Sequence, residues 1–346
     1  MKILVTTSRT PFGLDLIRKL GEAGHEVDAA DSYAAAPGSH SKFVAQHHVT
    51  PSAQDDAEGF VAAVAKICAD RDIELIVPTF EEVFYLSALR DQLGDVALFA
   101  AEFRALAQLH DKATFQRLAQ DLDLPIPATV VARNADELHA AIEKFPDYFA
   151  RAAFSRGGVS LLTNTGPLAG HVKVEDVTPT DEEPWLVQEY VDGPMLCSYS
   201  TVHGGKVTAH MTYRAPRQWQ HSTGIQFESI DGQPSLAIVQ RIVSHLDYTG
   251  QISFDFVDSP DRGLQLIECN PRTTDGVLLM DEDVLSAGIS GDVEGVTRIV
   301  EPGRIVQLDF AVLGQMFLEP LHEVPKTIHD LAKLHGPDRG WHDLMP

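Results

Sequence analysis

Lysine and arginine are scarce in this chain: 27 of them stand against 50 aspartates and glutamates, a formal net charge of −23. A surface with that balance repels polyanions, so neither nucleic acid nor an anionic membrane face is expected as a partner. A small, locally positive site still admits an anionic substrate. Cysteine is scarcer still. Cys68, Cys197 and Cys269 stand alone and show no C-x-x-C spacing, which argues against a zinc site or a disulfide framework and fits a reducing cytoplasm. No apolar run approaches the length needed to cross a bilayer. The opening residues MKILVTTS read as a strand, without the apolar core or cleavage site of a secretion signal. The expectation is a soluble, cytoplasmic protein.

Glycine is missing where a dinucleotide site would need it. Lys2 to Thr7 reads as a strand, Leu14 to Ala23 as a helix stopped at Gly24, and Glu26 to Ala30 as a second strand ending at Asp31. The loop between the first strand and the helix, Ser8 to Gly13, holds one glycine where G-x-G-x-x-G requires three. This disfavours a nicotinamide oxidoreductase and leaves Asp31 with little weight as a ribose ligand. The strand–helix–strand start still indicates a doubly wound α/β unit. A helix from Asp56 to Asp70, a strand from Leu75 to Thr79, a helix to Leu93 and a strand from Val96 to Ala100 continue it. Glu81 and Glu82 follow a parallel strand, where ligands usually bind, and equally suit the start of a helix.

With 346 residues and 44% hydrophobic content, the chain is large enough for more than one lobe. Asp111 is a candidate N-cap for a helix to Asp123, with Lys112 at its start. Leu124 to Ala128, LPIPA, reads as a linker. A strand (Thr129 to Ala132), a helix (Ala135 to Phe145) and a strand (Tyr148 to Ala153) follow, the last carrying Arg151 into the Ser/Gly loop Phe154 to Val159. Such a loop can lay backbone N–H groups over phosphates, and glycine pairs also make ordinary turns. Trp185 to Val191 is an apolar strand; Met195 to Val202 and Lys206 to Tyr213 read as an antiparallel pair. A polar loop with Arg214, Arg217, Gln218 and His221 precedes a helix from Ser235 to Leu246. Beyond Gly276, Glu282 to Ala287 and Val293 to Ile299 read as helical, Ile305 to Ala311 as a strand and Thr327 to Leu334 as a last helix.

The strongest chemical signal is the stretch Asp247 to Gly276. It reads as two strands, Gln251 to Val257 and Gly263 to Cys269, joined by the turn-forming run Asp258 to Gly263. Alternation puts Glu268 and Asn270 on one face, and a hairpin would bring Asp255 to the same point. Two carboxylates and an amide oxygen make a hard oxygen site suited to magnesium. Arg272 adds a cation beside it. Phe254, Phe256, Leu264, Leu266 and Ile267 flank these charges, so the carboxylates need cations or hydrogen-bond donors as partners.

Taken together these residues resemble the ATP-grasp superfamily of carboxylate–amine ligases and carbamoyl-phosphate-synthase-like proteins, over most of the chain. The resemblance implies a mixed α/β and α+β architecture: an N-terminal Rossmann-like pre-ATP-grasp domain (residues 1–108), a linker helix and small ATP-binding lobe (109–188), and a large lobe with the magnesium site and a C-terminal extension (189–346). It implies ATP and Mg2+, with Mn2+ as an alternative metal. Lys112 and Arg151 match the family's nucleotide-binding basic residues, the second being lysine in many members. Ser155, Gly157 and Gly158 match its phosphate-covering loop. Gln188, Glu189 and Val191 match the adenine hinge, the last two through backbone groups. Asp255, Glu268 and Asn270 match the metal ligands, and Arg272, like Arg151, takes a catalytic role toward phosphate or substrate. The chain departs from the pattern at Pro194 to Cys197, where many members place a ribose-binding carboxylate, and at Gln188, which replaces a frequent glutamate.

The activity so implied is activation of a small-molecule carboxylate by the γ-phosphate of ATP, capture of the acyl phosphate by an amine, and release of ADP and phosphate. Arg217, His221 and Arg272 are candidates for clamping an anionic substrate, with solvated loop positions as the plain reading of the first two. A homodimer is a common assembly in proteins of this resemblance. Phosphoryl transfer to a carbamate-like acceptor and a non-catalytic ATP sensor are the alternatives.

Overall fold

The computed structural model describes residues 1–153, 161–166, 168–219, 223–291 and 297–308. The phosphate-loop positions Ser155, Gly157 and Gly158, His221, and the expected helix at 327–334 lie outside them. The chain divides into two compact units, one of residues 1–103, 198–253 and 272–346, the other of 104–197 and 254–271.

The first unit opens with β1 (Lys2–Thr6), α1 (Pro11–Glu22), β2 (Glu26–Asp31), β3 (Val44–Val49), α2 (Ala57–Arg71), β4 (Leu75–Val77), α3 (Glu82–Ala88) and β5 (Ala97–Leu98). The strands form a parallel sheet in the order β3-β2-β1-β4-β5, the doubly wound arrangement expected from alternating apolar strands and amphipathic helices. Ile3, Leu4 and Val5 on β1 and Ile76 and Val77 on β4 are buried, as are Leu16, Ile17 and Leu20 of α1. Thr10 caps α1 by accepting from the Gly13 N–H at 3.0 Å. Asp31 spends its carboxylate on the loop after β1, accepting from the Arg9 backbone N–H (2.8 Å), the Arg9 guanidinium (2.7 Å) and the Tyr33 N–H (3.0 Å). Glu82 is likewise occupied. It is buried at the first turn of α3 and accepts from Thr6 Oγ1 (2.6 Å) and the N–H groups of Thr79 and Phe80.

The second unit begins one residue into α4 (Phe103–His110) and continues with α5 (Lys112–Asp121), β6 (Thr129–Ala132), α6 (Ala135–Lys144), β7 (Tyr148–Ala152), β8 (Leu161–Thr163) and β9 (Trp185–Glu189). The four strands make an antiparallel sheet ordered β6-β9-β7-β8. Leu138, Phe145, Tyr148, Ala150, Leu162, Trp185 and Val187 form its core. β10 (Met195–His203), β11 (Lys206–Trp219), β12 (Thr223–Ile230), α7 (Gln233–His245), β13 (Gly250–Ser259), β14 (Gly263–Asn270), α8 (Glu282–Ser290), β15 (Arg298–Ile299) and β16 (Ile305–Gln307) complete the chain. The later part of β13 pairs with β14 in the second unit, and β11, β12 and β16 are successive neighbours in the first.

Several elements differ from the sequence reading. Arg214 to Gly224, read as a loop, belongs mainly to the β11–β12 hairpin; one solvated face makes it polar, and a register shift between Arg214 and Arg217 breaks its alternation. β3, β8 and α4 had no assigned element. The strand at 96–100 shrinks to Ala97–Leu98. Arg298 and Ile299, expected in a helix, form β15 against β11.

Two positions, Gly193 and His210, are tightly constrained by their surroundings. Gly193 has φ +149°, and a Cβ there would lie 2.3 Å from the backbone oxygen of Asp258. That oxygen belongs to a residue whose N–H is bonded to the Pro194 carbonyl at 3.0 Å, so neither side can yield cheaply. Gly193→Ala should therefore destabilise the protein by about 1–3 kcal/mol, read as a lower urea midpoint; an unchanged midpoint would contradict the close approach. The second is His210, buried in the first unit with Nδ1 2.8 Å from Ser200 Oγ and Nε2 2.9 Å from Ser235 Oγ. Burial lowers its pKa to about 4. The unfolded chain then takes up a proton that the folded one refuses, so this contribution is complete above about pH 6.5 and is lost as pH falls toward 4. Stability should decline by up to about 1.4 kcal/mol per pH unit from this group across that window. His210→Gln should flatten the decline, and an unaltered slope would refute the assignment.

Candidate functional site

Lys112 is fixed by the way α5 begins. Asp111 turns its carboxylate onto the N–H groups of Ala113 (2.7 Å) and Thr114 (3.2 Å), satisfying two of the free donors at the helix start. The backbone N–H of Lys112 donates to the Ala153 carbonyl at 3.3 Å, tying the helix start to the end of β7. Its side chain is almost wholly buried, with Nζ 3.9 Å from Glu268 Oε2. Burial lowers the ammonium pKa, while the Glu268 carboxylate opposes the shift.

Arg151 approaches the same carboxylate from β7. Its Nη1 donates to Glu268 Oε2, and Nη2 donates to the Ile267 carbonyl at 3.1 Å. Its Nε–H is buried and has no hydrogen-bond partner among the described residues. A donor left unsatisfied beside a buried lysine is costly unless an acceptor arrives, and a phosphate oxygen is such an acceptor. Glu268 retains 23% side-chain exposure, so the cluster is open to an incoming molecule. Burial pushes its carboxyl pKa up, but Arg151 and Lys112 outweigh burial and hold it below the usual range.

Asp255 behaves in the opposite way. Burial, and then the Glu268 charge, raise its carboxyl pKa to about 7, against a hydrogen bond from the Cys197 thiol. Asn270 Nδ2 lies 3.3 Å from Asp255 Oδ2. Asp255, Glu268 and Asn270 thus converge from β13 and β14, as their alternation predicts. Among the described residues no cluster of three or more His, Cys, Asp or Glu side chains gathers. A metal here would take two carboxylates and an amide oxygen from the protein and complete its shell with water or phosphate oxygens. That donor set fits magnesium, and a cation there would offset the burial and the Glu268 charge that raise the Asp255 pKa.

The hinge positions have specific fates. Gln188 is buried, and its side chain donates to Thr129 Oγ1 at 3.0 Å. The Glu189 N–H goes to the Ala128 carbonyl (2.9 Å), and its carboxylate accepts from the Ala128 N–H (2.9 Å) and Arg262 Nη1 (2.6 Å). The backbone of Val191 makes no hydrogen bond among the described residues, leaving it the available edge at this position. Arg272 belongs to the first unit, where its guanidinium stacks 4.7 Å from the Phe80 ring centre and Nη1 donates to the Thr273 carbonyl at 3.1 Å. Arg217 lies on β11 opposite Gln226.

Sequence reasoning missed three contributors. Gln116 Nε2 reaches the Ile267 carbonyl at 3.4 Å, and Thr129 Oγ1 lies 3.4 Å from Gln116 Oε1. A hydrogen-bonded path therefore runs from Gln188 through Thr129 and Gln116 to the carbonyl that also holds Arg151. The signal for Gln116 was its place one helical turn after Lys112, a buried amide on the same face. Cys197, given no role in the sequence reading, is hydrogen-bonded to Asp255.

The cluster offers cations and an unsatisfied donor for phosphate oxygens beside an oxygen site for a divalent metal. No family model matches the chain. The sequence is 23% identical over 190 residues to the arginine-specific carbamoyl phosphate synthase large chain of Geobacillus stearothermophilus, covering 52% of this chain and 18% of that one. The matched stretch is thus under a fifth of that relative. Solved structures with a similar fold include N5-carboxyaminoimidazole synthetase from Staphylococcus aureus complexed with ADP (TM-score 0.67, 13% identity, 92% of this chain and 85% of that one). The biotin carboxylase domain of Hydrogenobacter thermophilus 2-oxoglutarate carboxylase, complexed with MgADP and bicarbonate, has a TM-score of 0.66 at 13% identity, covering 86% and 71% of the two chains. The L-amino acid ligase of Bacillus licheniformis gives 0.63 at 15% identity, covering 88% and 78%.

Proposed function

Because the chain has the ATP-grasp fold, we propose that it is an ATP-dependent ligase that activates a small-molecule carboxylate as an acyl phosphate and couples it to an amine. The observation that carries this reading is the cluster of Lys112, Arg151, Glu268, Asp255 and Asn270, cations and oxygen ligands within one compact unit. In this reading residues 1–108 are the leading α/β domain, 109–188 the small lobe and 189–346 the large lobe with the metal site.

Lys112 and Arg151 bind the triphosphate, the Arg151 Nε–H taking the acceptor it lacks. Val191 offers its backbone to the adenine edge, on a hinge whose shape Gln188 and Glu189 hold. Ser155, Gly157 and Gly158 cover the phosphates and exclude water from the intermediate. Asp255, Glu268 and Asn270 would hold magnesium, with manganese as an alternative; the ion supplies neutralisation of charge on the phosphate oxygens. Arg272, two residues past Asn270 in the chain, neutralises the carboxylate substrate. A substrate carboxylate oxygen attacks the γ-phosphorus, and the bond to the β-phosphate oxygen breaks, releasing ADP. The amine nitrogen then attacks the carbonyl carbon; phosphate departs with the original carboxylate oxygen, and the amine proton goes to solvent.

The oxygen balance gives the test. With an 18O-labelled carboxylate from a productive carboxylate–amine pair, the released phosphate should carry one label. Unlabelled phosphate would rule the acyl phosphate out.

A second reading is favoured by the sequence likeness to a carbamoyl phosphate synthase and by the bicarbonate-bound structural relative. Here the acceptor is bicarbonate or a carbamate. ADP formation that needs bicarbonate and no organic acid would select this reading.

A further inference from the structure

The second unit has a cleft that the nucleotide reading leaves unused. It lies between α4 and α5, has a volume of about 250 Å³, and is lined by Arg104, Gln108, Thr114, Arg117, Leu118 and Asp121. Helical spacing explains its composition. Arg104 and Gln108 are four apart on α4, while Thr114, Arg117, Leu118 and Asp121 follow a single stripe along α5. Only Asp111 separates the helices, and the Thr114 hydroxyl donates to the Gln108 carbonyl at 2.8 Å, closing one corner.

Arg104 and Arg117 are exposed on opposite walls, and neither makes a hydrogen bond or ion pair among the described residues. In a chain of net charge −23, with carboxylates in nearly twofold excess, two guanidiniums that share a cleft and have no carboxylate partner among the described residues stand out. Asp121 is the one acidic lining residue, leaving the cleft net positive. Its size is below the usual range for organic cofactors, about 300–1,000 Å³, and suits a compact oxyanion. Guanidiniums from two walls match the several acceptor oxygens of a phosphate, with the Gln108 amide as a further donor.

We infer that the α4–α5 cleft binds a small phosphate-bearing anion, clamped between Arg104 and Arg117 and distinct from the cluster around Glu268. Lys112 and Arg117 lie on one helix, so an anion that draws α5 toward α4 acts on the element that positions Lys112. Free phosphate and a phosphate monoester share the recognised chemistry, and the measurement separates them.

The test is calorimetric titration of the full chain, without nucleotide, using inorganic phosphate in one arm and glycerol phosphate in the other. Saturable binding is expected in at least one arm, and the tighter arm identifies the source. Arg104→Gln/Arg117→Gln should weaken it at least about tenfold, Asp121→Asn should tighten it, and Lys112→Gln should leave it unchanged. Loss of binding in Lys112→Gln, with the double variant unaffected, would place the anion at the nucleotide cluster and overturn the inference. No saturable binding in either arm would overturn it as well. The Lys112 variant keeps this result separate from the fate of the ligase reading.

Discussion

Glu268→Gln should lower ATP turnover by about a thousandfold. The carboxylate has two functions in the account, and the amide fails at both. Glu268 and Asp255 are the two carboxylates beside Asn270 among the described residues, and a neutral amide is a poor ligand for a hard dication. Glu268 is also the shared acceptor of Arg151 and Lys112. Without its charge two buried cations lose their nearest anion, leaving Asp255 to oppose them; breaking a buried pair costs about 3–5 kcal/mol. Partial exposure of the Glu268 side chain places the real loss at or below the lower end of that range. Turnover and thermal midpoint should therefore both be measured. A folded variant without turnover is the expected result, and wild-type turnover from Glu268→Gln would remove Glu268 from the chemistry.

Arg151→Lys should raise the KM for ATP and reduce kcat/KM by about a hundredfold, although the charge is kept. Arg151 reaches Glu268 through one terminal nitrogen and the Ile267 carbonyl through the other, and its Nε–H is left over for a ligand. A lysine ammonium is a point donor at the end of a flexible stem and cannot satisfy all three directions. Loss of one aligned donor in such a site commonly costs about 10²–10³ in rate. Lysine is frequent at the matching position in the resembling family, so the expectation is specific to this chain. Here the Gln188–Thr129–Gln116 path and the Ile267 carbonyl are arranged around a guanidinium. Arg151→Lys with wild-type kinetics would show that charge alone matters.

The convergence of the candidate site's residues was legible because its signals are local. Alternation along β14 puts Glu268 and Asn270 on one face, the aromatic neighbours of Asp255 mark a buried strand, and the N-cap Asp111 announces the helix that carries Lys112. The less legible parts depend on tertiary context. β3 is an edge strand with the polar sequence VAQHHV, so periodicity gives it no signature. The β11–β12 hairpin presents Arg214 and Gln218 to solvent and contains a register shift, which imitates a loop. The second unit is discontinuous, with 254–271 returning to 104–197, so the contact between Gln116 and Ile267 spans 151 residues. No pattern within a single element encodes it. The duties of Asp31 and Glu82 were hidden for the same reason; Asp31 is consumed by backbone N–H groups and the Arg9 guanidinium, and Glu82 by backbone N–H groups and the Thr6 hydroxyl, donors that only the fold brings together.

The central claim is that this chain cleaves ATP between the β- and γ-phosphates to activate a carboxylate. Phosphorus NMR of ATP, magnesium and the protein, with pooled carboxylates and amines, tests it most directly. The account predicts ADP and phosphate in a pool-dependent manner, with little of either from Glu268→Gln. AMP and pyrophosphate, or bound ATP that no pool turns over, would contradict it.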